Sequence, residues 1–169
     1  MPIMLTGILL LAAGCSETVK EGANEVESDR EQNIRAVLNE LLNGPSEEQE
    51  KILEGPDGDL EKYVKRFDEY NNEHFKPYLS ERFYEGFLNT NGTLMFLRLA
   101  YPDYELKTED ITLEERENYY TFTVNVSYTN NKSKESKAMN IKGNVQTNEE
   151  KKVTSIHIVN FEDFRTALN

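Results

Sequence analysis

The spacing of apolar residues changes near Tyr104, from a helical repeat to a strict alternation. Before that point apolar side chains recur about every 3.6 residues, as on one face of a helix. After it they alternate with polar residues, as on a strand with one buried face. The clearest alternating positions are Tyr120, Phe122, Val124, Val126 and Tyr128. Helices followed by an antiparallel meander predict an α+β domain, with the helices on one face of a curved sheet.

The first predicted helix is bounded by a cap and a breaker. Ser28 and Glu31 have the Ser-x-x-Glu spacing of a capping box, and Asn43-Gly44-Pro45 ends the helix. The apolar residues between these signals share one helical face, which predicts an amphipathic helix. They are Ile34, Val37, Leu38, Leu41 and Leu42.

Four further helical segments are expected, over residues 46–54, 59–75, 80–88 and 94–100. Asp59 caps the second of these segments, and Lys76-Pro77 breaks it. Apolar or aromatic residues recur along one face of that helix. They are Leu60, Val64, Phe67, Tyr70 and either His74 or Phe75.

Four strands are expected after Tyr104, over residues 104–113, 119–128, 139–145 and 153–161. Six lysines are expected at one end of this meander. Lysines at hairpins and edge strands discourage sheet-to-sheet aggregation, and we favour that role over contact with an acidic partner or wall polymer. They are Lys132, Lys134, Lys137, Lys142, Lys151 and Lys152.

An uncharged apolar run opens the chain and ends at Ala12-Ala13-Gly14-Cys15. It is far shorter than the roughly 20 residues of a membrane-spanning helix, so it predicts an export signal. Small residues before a cysteine resemble the lipobox of a bacterial lipoprotein precursor, although Ala12 replaces the usual Leu and the run lacks Lys or Arg. The resemblance implies a signal peptide over residues 1–14 and lipid attachment at Cys15. A flexible tether over residues 15–28 and one domain over residues 29–169 then follow.

A competing interpretation makes residues 1–13 an apolar helix packed into the domain, with a buried cysteine at its end. Residues 16–27 are rich in Glu, Gly, Ser and Asn and offer little to bury. This composition favours the export signal over the buried helix.

The net charge of -12 restricts the possible partners. An acidic surface repels phosphate backbones and anionic headgroups, so we expect no nucleic-acid binding, and membrane attachment only through lipid at Cys15. The single cysteine excludes an internal disulfide and a cysteine-based zinc site. The charge runs at residues 47–51 and 114–117 lack the spacing of a calcium loop and are expected to be solvated. We therefore expect neither a metal nor a cofactor.

The order of elements over residues 29–169 resembles the NTF2-like superfamily, in which helices pack into the concave side of a bent antiparallel sheet. The strand usual between the helices of that superfamily is not evident, and an unrelated four-strand α+β layer is the alternative. The resemblance implies a cavity that, in the enzymes, holds an acid or a base within hydrogen-bond reach of a second group. The candidate residues are His74, Asp103, Asp110, His157, Tyr63, Tyr70, Tyr101 and Tyr120.

Most of these candidates have a simpler interpretation. His157 lies between Ile156 and Ile158 on a strand, so we expect its side chain to face solvent. His74 is expected to be an ordinary polar residue near a helix end. The aromatic residues of the helical half are expected to form core, with a pocket for a small apolar ligand as the alternative.

Three functions follow from these observations. The favoured one is a non-enzymatic, lipid-anchored extracytoplasmic domain that binds a protein or a small ligand. The second is an NTF2-like isomerase, dehydratase or hydrolase that uses cavity residues among Tyr63, Asp103 and His157. The third is a structural adaptor of an envelope assembly.

Overall fold

The computed structural model describes residues 28–169, which have an α+β fold. The predicted signal peptide, the lipidation site Cys15 and nearly all of the tether lie outside the described residues. The helices are α1 (Asp29–Leu42), α2 (Glu47–Leu53), α3 (Leu60–His74), α4 (Glu81–Asn89), α5 (Met95–Ala100) and α6 (Phe161–Ala167), with a 3-10 turn at Gly92–Leu94. The strands are β1 (Tyr104–Glu115), β2 (Tyr120–Asn130), β3 (Ser136–Thr147) and β4 (Val153–Ile158).

The four strands form one open antiparallel sheet in the order β1-β2-β3-β4. The alternation predicted for β2 is confirmed, because its apolar positions are buried and its polar positions are half-buried on the other face. The register shifts once in the β1–β2 pair, between Thr108 and Asp110, and once in the β3–β4 pair, between Gln146 and Thr147. Such irregularities bend the strands and increase their twist.

Helix α1 lies against the buried side of the domain and begins at the predicted capping box. The Glu31 N–H donates to Ser28 Oγ at 3.3 Å, and the Ser28 N–H donates to the Glu31 carboxylate at 2.9 Å. All five apolar residues of its predicted face are at most 1% exposed. They belong to the same core as the buried residues of β2, so the two predicted stripes meet in one hydrophobic interior.

Both outer strands are paired by segments that connect helices. On β1, the Gly44 N–H donates to the Leu106 carbonyl at 2.9 Å, and the Leu106 N–H donates to the Gly44 carbonyl at 2.7 Å. On β4, the Val153 N–H donates to the Tyr78 carbonyl, and the Ser80 N–H donates to the Val153 carbonyl, each at 2.9 Å. These pairings occupy edge groups that would otherwise be open to strands from other chains.

The chain forms helix α6 at Phe161, where the fourth strand was expected to continue. Phe164 is fully buried, and its ring meets the ring of Phe96 edge-on at 5.1 Å. Phe161 meets the same ring at 5.4 Å. Only a helix places residues 161 and 164 on one side, so the packing of both rings against Phe96 ends the strand.

Helix α3 is buried along only part of its predicted face. Tyr70 is 1% exposed, whereas Leu60 and Val64 on the same face are 65% and 47% exposed. The second half of α3 packs into the core and the first half extends over the surface. Within residues 28–169, no helix combines the length and the apolar character needed to cross a bilayer.

The expectation that six lysines gather at one end of the sheet was wrong. Successive turns of a meander lie at opposite ends of its strands, because the chain reverses direction at each turn. Lys132 and Lys134 lie in the β2–β3 turn, and Lys151 and Lys152 lie in the β3–β4 turn at the other end. Lys132 pairs with Asp103 at 3.0 Å, and Lys151 pairs with Asp29, so both ends carry local ion pairs.

Candidate functional site

The structure brings two of the eight candidate residues together. Tyr70 and His74 lie one turn apart on α3, with ring centroids 4.8 Å apart. Among residues 28–169, no hydrogen bond or ion pair joins any two of the other six. Four of the six have other polar partners: Asp103 pairs with Lys132, Asp110 accepts from Thr112, Tyr101 donates to Glu54 and Tyr120 donates to Glu115. Tyr63 packs against the core. His157 is exposed on β4, as expected.

Tyr70 takes part in a hydrogen-bond network that joins α1, α2 and α3. Its hydroxyl donates to Glu40 Oε1 at 2.8 Å, and Gln49 Nε2 donates to the same oxygen at 3.1 Å. Gln49 Nε2 also lies 3.0 Å from the Tyr70 hydroxyl oxygen. Gln49 is only 3% exposed, so these bonds satisfy polar groups that water does not reach. The network therefore holds the Glu40 carboxylate in one position.

A second capping box positions Gln49. The Ser46 N–H donates to Gln49 Oε1 at 2.7 Å, and the Gln49 N–H donates to Ser46 Oγ at 3.3 Å. The sequence analysis missed this pair, although Ser46-Glu47-Glu48-Gln49 has the required spacing. The expectation that residues 47–51 form a solvated run was wrong for Gln49, because the cap turns this side chain into the interior.

His74 lies between two carboxylates from different helices. Its Nδ1 is 3.4 Å from Glu40 Oε2 on α1, and its Nε2 is 3.6 Å from Glu48 Oε2 on α2. The imidazole is 31% exposed, so it lies at the surface of the buried network. The sequence predicted an ordinary polar residue here because neither glutamate is near His74 in the chain.

Glu40, Gln49 and His74 line an open cleft of about 460 Å³ between the end of α1, the start of α2 and the start of β1. Glu105 and Lys107 form the β1 side, and Lys107 pairs with Glu109 at 3.0 Å. Hydrogen bonds from Lys107 and Ser127 lower the pKa of Glu109. The cleft is therefore acidic, and it suits a ligand that donates hydrogen bonds.

The aromatic residues of the helical half form core, which was the favoured interpretation. Tyr70, Phe75 and Tyr84 are buried, and the others pack against the same interior. Phe87 joins two of them, lying 6.2 Å from Phe75 edge-on and 5.2 Å from Phe83 in a stack. The polar cleft, and not the aromatic cluster, is the candidate binding site.

No arrangement within residues 28–169 places three or more His, Cys, Asp or Glu side chains around a metal position. No family model, curated protein or solved structure matches the chain.

Replacing Gly44 by alanine should disturb this site more than the same change at Gly58. Both glycines have positive φ, +136° and +76°, so alanine is strained at either position. Only at position 44 would the new Cβ meet a neighbour, Gln49 Oε1 at 2.1 Å. We expect Gly58→Ala to lower the free energy of unfolding by about 1 kcal/mol and Gly44→Ala by about 3 kcal/mol, measured in urea. Equal losses would show that Gln49 is not held in place.

The pKa of Tyr70 predicts a loss of stability in alkali. Burial raises the pKa of its hydroxyl far above the ordinary value, and the charge of Glu40 raises it further. Tyrosines of the unfolded chain lose their protons at about pH 10. Above that pH, the free energy of unfolding therefore falls as the pH rises. The stabilising contribution is therefore complete below about pH 10 and is lost as the pH rises towards the folded-state value.

Tyr70→Phe should flatten this decline above about pH 10 while lowering stability by about 1 kcal/mol at pH 8. Urea denaturation between pH 8 and pH 11 measures both effects. Tyr119→Phe, at an exposed tyrosine of the β1–β2 turn, is the matched control and should leave the decline unchanged. A Tyr70→Phe curve parallel to that of the wild type would contradict the assignment.

Proposed function

We propose that this protein is a bacterial lipoprotein, anchored by lipid at Cys15 outside the cytoplasm, whose domain binds a protein or small ligand without catalysis. The apolar run that ends in Ala13-Gly14-Cys15 supports the anchor. The binding role is carried by one observation, the acidic cleft whose lining is held by the Glu40–Tyr70–Gln49 network. A site held in place before its ligand arrives loses little conformational entropy on binding.

The two ends of α1 support this arrangement. Its start, where the tether would join, lies beside the β3–β4 turn, because the Asn33 side chain donates to the Lys151 carbonyl at 2.9 Å. Glu40 and the cleft lie near its other end, about 20 Å away along a helix of 14 residues. The cleft and the point where the tether would join the domain therefore lie at opposite ends of α1.

We also propose membership of the NTF2-like superfamily as the structural setting of this function. The support is the order of helices and a four-stranded antiparallel meander. Where that superfamily has a strand between its helices, this chain has isolated bridges, Gly44 with Leu106 and Leu79 with Val153.

A second candidate function, an acid-base enzyme, is favoured by the contact between His74 and Glu40. The catalytic pair would then be these two residues and not Tyr63, Asp103 and His157, which have separate surroundings. A panel of esters and enolisable ketones tests it with the wild type and Glu40→Gln. Turnover that falls at least 100-fold in the variant would support an enzyme. Cleft binding without turnover would support the first proposal.

The anchor is tested by Cys15→Ser in bacterial cells fed a labelled fatty acid. We expect the wild type to carry the label and to sediment with membranes, because two or more acyl chains hold a protein firmly to a bilayer. Cys15→Ser should lose both properties. Ser16→Ala is the matched control and should keep both. An unlabelled wild type, or a Cys15→Ser protein that stays membrane-bound, would contradict lipidation at this residue.

A further inference from the structure

We propose that His74 is a proton-operated clamp that draws α1 and α2 together at the mouth of the cleft. The inference concerns the regulation of the binding site and rests on the proposed function for its biological setting. A domain outside the cytoplasm experiences the pH of its surroundings, so a clamp that responds to protons could tune binding there.

Each ring nitrogen of the imidazole lies near a carboxylate oxygen, and the neutral ring has an N–H on only one of the two nitrogens. Nδ1 faces Glu40 at 3.4 Å and Nε2 faces Glu48 at 3.6 Å. A neutral imidazole carries one N–H, so one of its nitrogens presents a lone pair to a carboxylate. A protonated imidazole donates from both nitrogens and also carries a positive charge. Protonation therefore converts one attractive contact and one repulsive contact into two attractive ones.

Within residues 28–169, both ion-pair contacts of His74 are with carboxylates. Glu40 faces the imidazole from α1 and Glu48 from α2, and the Tyr70 ring packs against it from its own helix at a tilt of 33°. From β1, Glu105 and Lys107 line the same cleft, and Lys107 is engaged by Glu109. The surroundings are therefore acidic in total, which suits an imidazolium.

Helix α2 is the element that the clamp would hold. It has seven residues, and Ile52 and Gln49 are its buried side chains. The Arg66 guanidinium donates to the Lys51 carbonyl at 2.9 Å and ties its later part to α3. The contact between His74 and Glu48 ties its first turn. Residues 44–46 join α1 to α2 and line the cleft. A first turn of α2 that is held closer to His74 therefore narrows the mouth of the cleft.

Histidine is the side chain that ordinarily changes charge between about pH 5 and pH 8. The chain has two histidines, and the second, His157, is exposed on the outer face of β4. His157 therefore serves as a matched control, since its replacement removes a histidine without touching the clamp.

The test is amide hydrogen exchange of the full chain at pH 5.5 and pH 7.5, corrected for intrinsic exchange rates. The protection of α2 amides from exchange is divided by that of β2 amides, so that a change in the stability of the whole domain cancels. In the wild type we expect relative protection of α2 to be about three- to fivefold greater at pH 5.5, as two half-exposed ion pairs allow. His74→Gln, which cannot gain a charge, should show no such difference. His157→Gln should behave as the wild type.

A wild type without the difference, or a His74→Gln protein that keeps it, would overturn the clamp. Glu48→Gln decides the matter if circular dichroism shows that His74→Gln is unfolded, because Glu48 is 44% exposed and its replacement removes one side of the clamp. Its pH difference should fall by at least half, and an undiminished difference would overturn the proposal. The fatty-acid label and the sedimentation with membranes report on Cys15 alone, whereas hydrogen exchange reports on His74. Failure of the anchor and failure of the clamp therefore give different results.

Discussion

The burial of α1 against the sheet is the contact on which the domain depends. Five apolar side chains of this helix are almost completely removed from water, and each such burial contributes about 1.5–3 kcal/mol before entropy is counted. The helix is also tied at both ends. Asn33 bonds to the β3–β4 turn near its start, and Gly44 pairs with β1 just after its end. With a single cysteine in the chain, no internal disulfide can share this task, so packing must supply the stability.

The candidate site follows from where α1 ends. Glu40 lies on its last turn, and the Gly44 pairing directs the chain into α2 beside the end of α3. Three helix ends thus meet, and their polar side chains satisfy each other in the Glu40–Tyr70–Gln49 network. The interior of the domain is filled by aliphatic and aromatic side chains, and the cleft with the hydrogen-bonded Glu40 lies at its surface.

Periodicity predicted well which residues share a face, but it did not predict what covers that face. The apolar face of α1 and the apolar face of β2 are both buried, because each runs along its whole element and both belong to the same core. The stripe of α3 looks equally regular in sequence, yet Leu60 and Val64 are exposed because no described element packs over that half of the helix. At Phe161 the apolar pattern fitted a continued strand, but the chain forms a helix there, which packs the rings of Phe161 and Phe164 against Phe96.

By itself the sequence determined the order of the first five helices and the four strands, the capping box at Ser28, and the expectation of export with lipid at Cys15. These are local properties, readable over a few neighbouring residues. Only the tertiary structure decided that His74 lies between Glu40 and Glu48, and that a glutamine in a charged run is buried. Glu40, Glu48 and His74 come from three different helices, and the contacts between them depend on how those helices pack. Hydrophobic periodicity carries no information about which polar side chains will then be neighbours.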